Sequence, residues 1–269
     1  MNLIQCWATK NACWNTGLRL QKVRGIMWHS TGANNPNLKR YVQPVPGCKD
    51  YEKLLGILGE NKNRNDFCTV PYPGNRAVCP HAFIGKDAKG DIRTAQIIPW
   101  EYQGWHAGGS ANSSYIGFEI CEDGLKDFQY LSKVYREAVE LSAFLCDLYD
   151  LDPLDDGVII CHAEGHKRGI ASNHADVLHW FGRHGITMEQ VRKDVKAAMS
   201  NKGLTAEDVR EIVRDELVRV LQNPDPVPSK WAEKIWGQAK DKGLTDGTRP
   251  RSYATRQEVI TMISAALNK

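Results

Sequence analysis

Apolar and polar positions alternate along this chain in patterns that predict distinct elements. Short continuous apolar runs at residues 24–31 and 158–162 predict buried strands, and each run stops at an imidazole, His29 and His162. Further strand-length runs fall at 82–85, 93–98 and 115–121. Helical spacing marks 49–59 and 130–149, the second with Leu131, Val134, Ala138, Leu141 and Leu145 on one face. Strands interleaved with helices in this order predict an α/β fold with a mixed sheet. The Asn- and Pro-rich stretch 32–37 predicts a surface connection able to wall a groove.

The pattern changes beyond Met199. Thr205, Ala206, Glu207 and Asp208 predict a helix start, followed by an apolar stripe of Val209, Ile212, Val213, Leu217, Val220 and Leu221. A proline-rich stretch at 223–228 predicts a stiff linker. The tail, from Trp231 and Trp236 through Lys242-Gly243-Leu244-Thr245-Asp246-Gly247 to Val259, reads as helix, turn, helix. We therefore expect a main domain over 1–200, an amphipathic linker helix over 201–222 and a small all-helical module over 223–269. The tail resembles half of an S-layer-homology-like repeat, which implies wall attachment; self-association through the helices is the alternative.

Candidate chemistry gathers at the ends of the two apolar strands. Two neutral imidazoles and one carboxylate form a known ligand set for catalytic zinc, with the fourth tetrahedral position open. His29, His162 and Asp176 supply it. A competing pattern, His162-Ala163-Glu164-Gly165-His166, spaces two imidazoles as a helical metalloprotease site does. Its glutamate is one place too late, however, and Gly165 and Gly169 each disfavour a helix by about 1 kcal/mol, so His166 is expected at the cleft rim, outside any helix.

Composition adds limits. A formal net charge of +3 over 269 residues is too small to imply nucleic acid, yet would not repel an anionic polymer. Every apolar stretch is far shorter than the roughly 20 residues of a spanning helix, so no membrane insertion is expected. The first residues lack the basic start and apolar core of a signal peptide, which predicts synthesis in the cytoplasm. The eight cysteines are accordingly expected to be reduced small hydrophobes, and none forms a Cys-x-x-Cys pair. Strand alternation turns Cys161 away from the face that His162 serves.

Five segments in order, Trp28-His29-Ser30-Thr31, Gly104-Trp105-His106-Ala107-Gly108, Ile116-Gly117-Phe118-Glu119-Ile120, Cys161-His162-Ala163-Glu164 and Asn173-His174-Ala175-Asp176, resemble the type 2 N-acetylmuramoyl-L-alanine amidases. These zinc-dependent cell-wall hydrolases share a fold with peptidoglycan recognition proteins, and the resemblance, over about residues 20 to 185, is greatest to phage endolysins and prophage amidases of Gram-positive hosts. It implies a central mixed sheet flanked by helices, with a zinc cleft at one end. It implies cleavage of the bond between N-acetylmuramic acid and L-alanine, with Zn2+ on His29, His162 and Asp176 and Glu119 as general base. His174 stands where many relatives carry a lysine that stabilises the oxyanion. Asp176-Val177-Leu178 replaces the usual Asp-Pro-Gly, which makes His179 the reserve ligand. Trp105, His106 and Asn34 are expected in the substrate groove. The resemblance further implies action on the wall after release from the cytoplasm. A non-catalytic peptidoglycan-binding module of the same fold is the competing reading, and retention of all three ligands and Glu119 argues against it.

Overall fold

The computed structural model describes residues 1–200, 232–245, 259–260 and 263–264. The chain divides into two compact units, Met1–Lys202 and Gly203–Lys269. In the first, six strands form one sheet: β1 (Leu3–Gln5), β2 (Gly25–Asn34), β3 (Ala82–Lys86), β4 (Ile92–Gln96), β5 (Tyr115–Glu122) and β6 (Ile159–Cys161). Their order across the sheet is β1-β4-β3-β5-β2-β6. Only the β3–β4 pair is antiparallel; the other four pairings are parallel. Parallel neighbours need crossovers, which helices supply. The helices are α1 (Ala12–Asn15), α2 (Tyr51–Leu58), α3 (Phe128–Leu148), α4 (His162–Lys167), α5 (Leu178–Phe181) and α6 (Met188–Ser200).

Helix α3 starts at Asp127, whose carboxylate accepts from the backbone N–H groups of Gln129 and Tyr130 and so satisfies two orphan donors. Its stripe of Leu131, Val134, Ala138, Leu141 and Leu145 is fully buried. It packs with Ile26, Trp28, Ile116, Phe118 and Ile120 in one apolar layer, to which α6 adds Val191 and Val195. Truncating one of these leucines to alanine would cost about 2–5 kcal/mol. Because side chains alternate along a strand, the odd-numbered residues of β2 and β5 leave on the opposite face. His29 and Glu119 are such residues, directly paired across β2 and β5.

Three expectations change. His29 does not end its strand, for β2 runs on to Asn34 through a register irregularity between Ser30 and Asn34, where Gly32 takes φ +58°. The bulge re-aims the chain, so Gly32 and Ala33 still wall the cleft while Asn34 does not. Residues 162–167 are helical despite Gly165. There a Cβ would stand 2.8 Å from Met27 Cε and 3.1 Å from Ala171 Cβ, so close packing requires glycine and outweighs its poor propensity. The turn is further fixed by a capping box between Cys161 and Glu164. The N-terminal segment joins the sheet, since β1 pairs in parallel with β4.

In the second unit, α7 (Glu233–Asp241) carries Trp236, and Val259, Ile260, Ile263 and Ser264 are helical. The predicted linker helix at 201–222, the proline stretch and Trp231 lie outside the described residues.

Candidate metal centre and catalytic cleft

Three elements converge on one point. β2 delivers His29, the first residue of α4 delivers His162, and the loop before α5 delivers Asp176. His29 Nδ1 lies 3.0 Å from His162 Nδ1 and 3.1 Å from Asp176 Oδ2. The third edge, from His162 Nδ1 to Asp176 Oδ2, is 3.6 Å. Tetrahedral ligands at zinc's usual bond lengths of about 2.0–2.1 Å lie about 3.3 Å apart, so this triangle fits such an ion. Among the described residues, this is the one cluster of three or more potential metal-binding side chains.

The outer nitrogens decide which imidazole lone pairs face the triangle. His106 Nε2 lies 3.0 Å from the Tyr115 carbonyl, which can only accept, so that nitrogen carries the proton. Burial holds the His106 ring well below the ordinary histidine pKa, and its neutral Nδ1 is therefore an acceptor. His29 Nε2, 2.9 Å away, must donate to it, leaving the His29 Nδ1 lone pair aimed at the cluster. His162 is held alike. Its Nε2 donates to Ser172 Oγ at 3.1 Å, and that hydroxyl donates to the Ala107 carbonyl at 3.2 Å. Two imidazole lone pairs and a carboxylate thus meet with no proton between them, an arrangement that a cation satisfies.

The charges agree. Burial lowers the His29 pKa, outweighing the carboxylate beside it, so the ring stays neutral. Burial opposes ionisation of Asp176, and the contacts with the His162 and His29 nitrogens that lower its pKa are the ones a cation would take over on binding. Neutral imidazoles and an ionised carboxylate are the states that ligation requires.

Glu119 stands in register with His29 and lines the same cleft of about 520 Å³. Its Oε2 is buried without a hydrogen-bond partner. Burial first, then the negative charges of Asp176 and Glu122, raise its pKa well above the ordinary value. A buried, unpartnered carboxyl beside the ligand triangle suits proton transfer. His174 is exposed at the cleft, with Nδ1 3.0 Å from Ser172 Oγ and its ring centroid 4.6 Å from that of His162.

The remaining sequence candidates separate. Trp105 and His106 line the cleft, with His106 in contact with a ligand of the cluster and not only with the groove. His179 lies outside the triangle and pairs with the buried Glu122 at 3.0 Å. His166 is exposed, its Nδ1 directed to the Ala171 carbonyl, and is not part of the cluster. Asp176 is anchored by its neighbours: Val177 is fully buried, and the Asp176 carbonyl accepts from Ala163 N–H. Sequence reading missed Ser172 and Glu122. The acidic residue directly after Ile120-Cys121 carried a faint signal, because Glu122 is buried and ties Ser30 Oγ, Gly32 N–H and His179 together. A serine in a polar loop carried none.

The family model described as N-acetylmuramoyl-L-alanine amidase matches residues 19–178. No curated protein matches. Among solved structures, the Staphylococcus aureus hydrolase AmiA in complex with its ligand is 18% identical, covering 74% of this chain and 83% of its own with a TM-score of 0.49. PlyL is 18% identical over 73% of this chain and 96% of its own, TM-score 0.46. The catalytic domain of XlyA is 19% identical over 72% and 99%, TM-score 0.45.

Proposed function

The chain belongs to the N-acetylmuramoyl-L-alanine amidase family, and from that premise we propose that it is a zinc-dependent peptidoglycan hydrolase of the endolysin kind, holding its metal on His29, His162 and Asp176. The observation that carries the zinc assignment is the triangle of donor atoms with edges of 3.0, 3.1 and 3.6 Å.

Zinc, when bound, polarises a scissile carbonyl and lowers the pKa of water toward about 7. The chain's own groups do the rest. Glu119 Oε2 accepts the proton of the attacking water and passes it to the leaving alanine nitrogen, a role worth about 10²–10⁴ in rate. His174, exposed at the cleft beside His162 with Nδ1 against Ser172 Oγ, is the side chain placed to stabilise the oxyanion of the tetrahedral species. Trp105 and Phe83 give the cleft apolar walls, and Arg40 and Arg76 make it attractive to the carboxylates of a stem peptide.

The bond cut is the amide between the lactyl group of N-acetylmuramic acid and L-alanine. Residues 1–200 carry this chemistry, and the stretch from residue 201 onward serves wall attachment or self-association. The protein is made in the cytoplasm of a bacterial host and acts on the wall after release. Nucleic acid is not a partner, and no helix among the described residues is long and apolar enough to cross a membrane. A binding-only role is disfavoured by the unpartnered Glu119 carboxyl beside the metal triangle, since recognition alone has no use for it.

Elemental analysis of the purified chain should find about one zinc, and a strong chelator should abolish hydrolysis with recovery on adding zinc. Full activity after complete metal removal would overturn the assignment.

A further inference from the structure

Four of the eight cysteines are not scattered hydrophobes. Cys6, Cys13, Cys68 and Cys79 lie in one apolar layer behind the cleft, each at most 2% exposed. They face one another two by two. Cys68 is an electrostatic neighbour of Cys6, and its Sγ donates to the Cys6 carbonyl at 3.4 Å. Cys79 is likewise an electrostatic neighbour of Cys13. The second pair is seated on a shared support, since Cys13 Sγ donates to the Gln103 carbonyl at 3.2 Å while Cys79 pairs through its backbone with Trp105.

The placement is informative. Cys68 and Cys79 are the two ends of one segment, and that segment supplies Pro73, Gly74, Arg76 and Val78 to the cleft wall. Cys6 and Cys13 belong to one N-terminal stretch that otherwise holds the segment through few bonds: Lys10 N–H to the Cys68 carbonyl, Ala12 N–H to the Pro71 carbonyl, and Asn11 Nδ2 to the Phe67 and Val78 carbonyls. Two thiol pairs therefore sit at both ends of a cleft-wall loop whose middle has little packing of its own.

We propose that Cys6–Cys68 and Cys13–Cys79 are two disulfide sites, dithiols in the reducing cytoplasm and cross-links once the protein reaches the wall, which clamp the cleft segment 68–79 to the N-terminal stretch. The proposal rests on the reading that the protein works outside the cytoplasm. The oxidant is a low-molecular-weight disulfide. One cysteine, as thiolate, attacks a sulfur of that disulfide, giving a mixed disulfide and releasing one small thiol. Its neighbour's thiolate then attacks the protein sulfur of the mixed disulfide, closing the cross-link and expelling the second small thiol. Per pair, two protein thiols lose two electrons and two protons, and one small disulfide gains them. Burial pushes the Cys68 and Cys79 thiols up, so exchange in the folded chain is slow and proceeds through local opening.

The test is a map of cross-links. The reduced full-length chain is equilibrated with an oxidised-glutathione buffer, both as folded protein and during refolding, then acid-quenched, alkylated and weighed. Four thiols should be lost, with a mass decrease of about 4 Da before alkylation, two protons and two electrons leaving per bridge. Digestion without reductant should give peptides joining Cys6 to Cys68 and Cys13 to Cys79. Cys68→Ser should remove only the first and Cys79→Ser only the second. Because closing a loop of this length restricts the unfolded chain, the oxidised form should melt about 5–10 °C above the reduced form. Eight alkylated cysteines after both treatments, or bridges to other partners such as Cys48, would overturn the proposal. Neither outcome depends on amidase activity, so failure here is distinguishable from failure of the hydrolase assignment.

Discussion

His106 Nδ1 accepts from His29 Nε2–H at 2.9 Å, and Gly117 is what makes room for that ring. A Cβ on Gly117 would stand 2.3 Å from His106 Nδ1. The ring fixes the proton on His29 and so turns the ligand's lone pair toward the metal, although His106 itself contributes no atom to the triangle. Outer partners of this kind are worth about 10–100-fold in metal affinity. His106→Ala should lower zinc affinity by that factor in a chelator-competition titration. Gly117→Ala, which alters neither ligand nor partner, should lower both zinc affinity and melting temperature, because overpacking costs about 1–3 kcal/mol. Unchanged zinc affinity in both variants would remove His106 from the site.

The third ligand can be separated from its reserve. Asp176→Ala should lose zinc, whereas His179→Ala should keep it. The second variant should instead lower stability, since it leaves the buried Glu122 carboxylate without its imidazole partner, a loss of about 1–3 kcal/mol in denaturant unfolding. A zinc-free His179→Ala with a zinc-loaded Asp176→Ala would reverse the assignment.

Glu119 sets the acid limb of the pH profile. Burial raises its pKa above the ordinary glutamate value, and only the ionised form can take a proton, so activity should rise with pH through a limb lying above the usual carboxylate range near pH 4.3. Below that limb Glu119 is protonated and inactive as a base. Glu119→Gln should bind zinc normally while kcat falls by about 10² or more. Normal turnover in this variant would place the base elsewhere.

Much of this site is legible in the sequence where burial and periodicity coincide. The apolar runs ending at His29 and His162, the alternation that turns Glu119 away from Phe118 and Ile120, and the helical stripe from Leu131 to Leu145 are all imposed by a two-sided sheet covered by α3. Cys161 likewise packs on the α3 side while His162 serves the cleft. What stays hidden depends on contacts distant in sequence. Gly165 argues against a helix by propensity, and only the approach of Met27 and Ala171 explains its place in α4. Ser172 becomes a partner of His162 only when the loop folds back on Ala107. The pairing of Cys6 with Cys68 spans 62 residues, and nothing in the local pattern of either predicts it. Helix α6 leaves little trace in the sequence because its buried face is only Met188, Val191 and Val195 on an otherwise polar segment.

The most direct test of the whole account is mass spectrometry of purified peptidoglycan digested by the zinc-loaded protein. The predicted products are stem peptides with a free L-alanine amino terminus and glycan strands whose N-acetylmuramic acid bears a free lactyl carboxyl, with none of either formed by Glu119→Gln over the same time. Cleavage within the stem peptide, cleavage of a glycosidic bond, or intact peptidoglycan recovered with the active metal-loaded chain would contradict it.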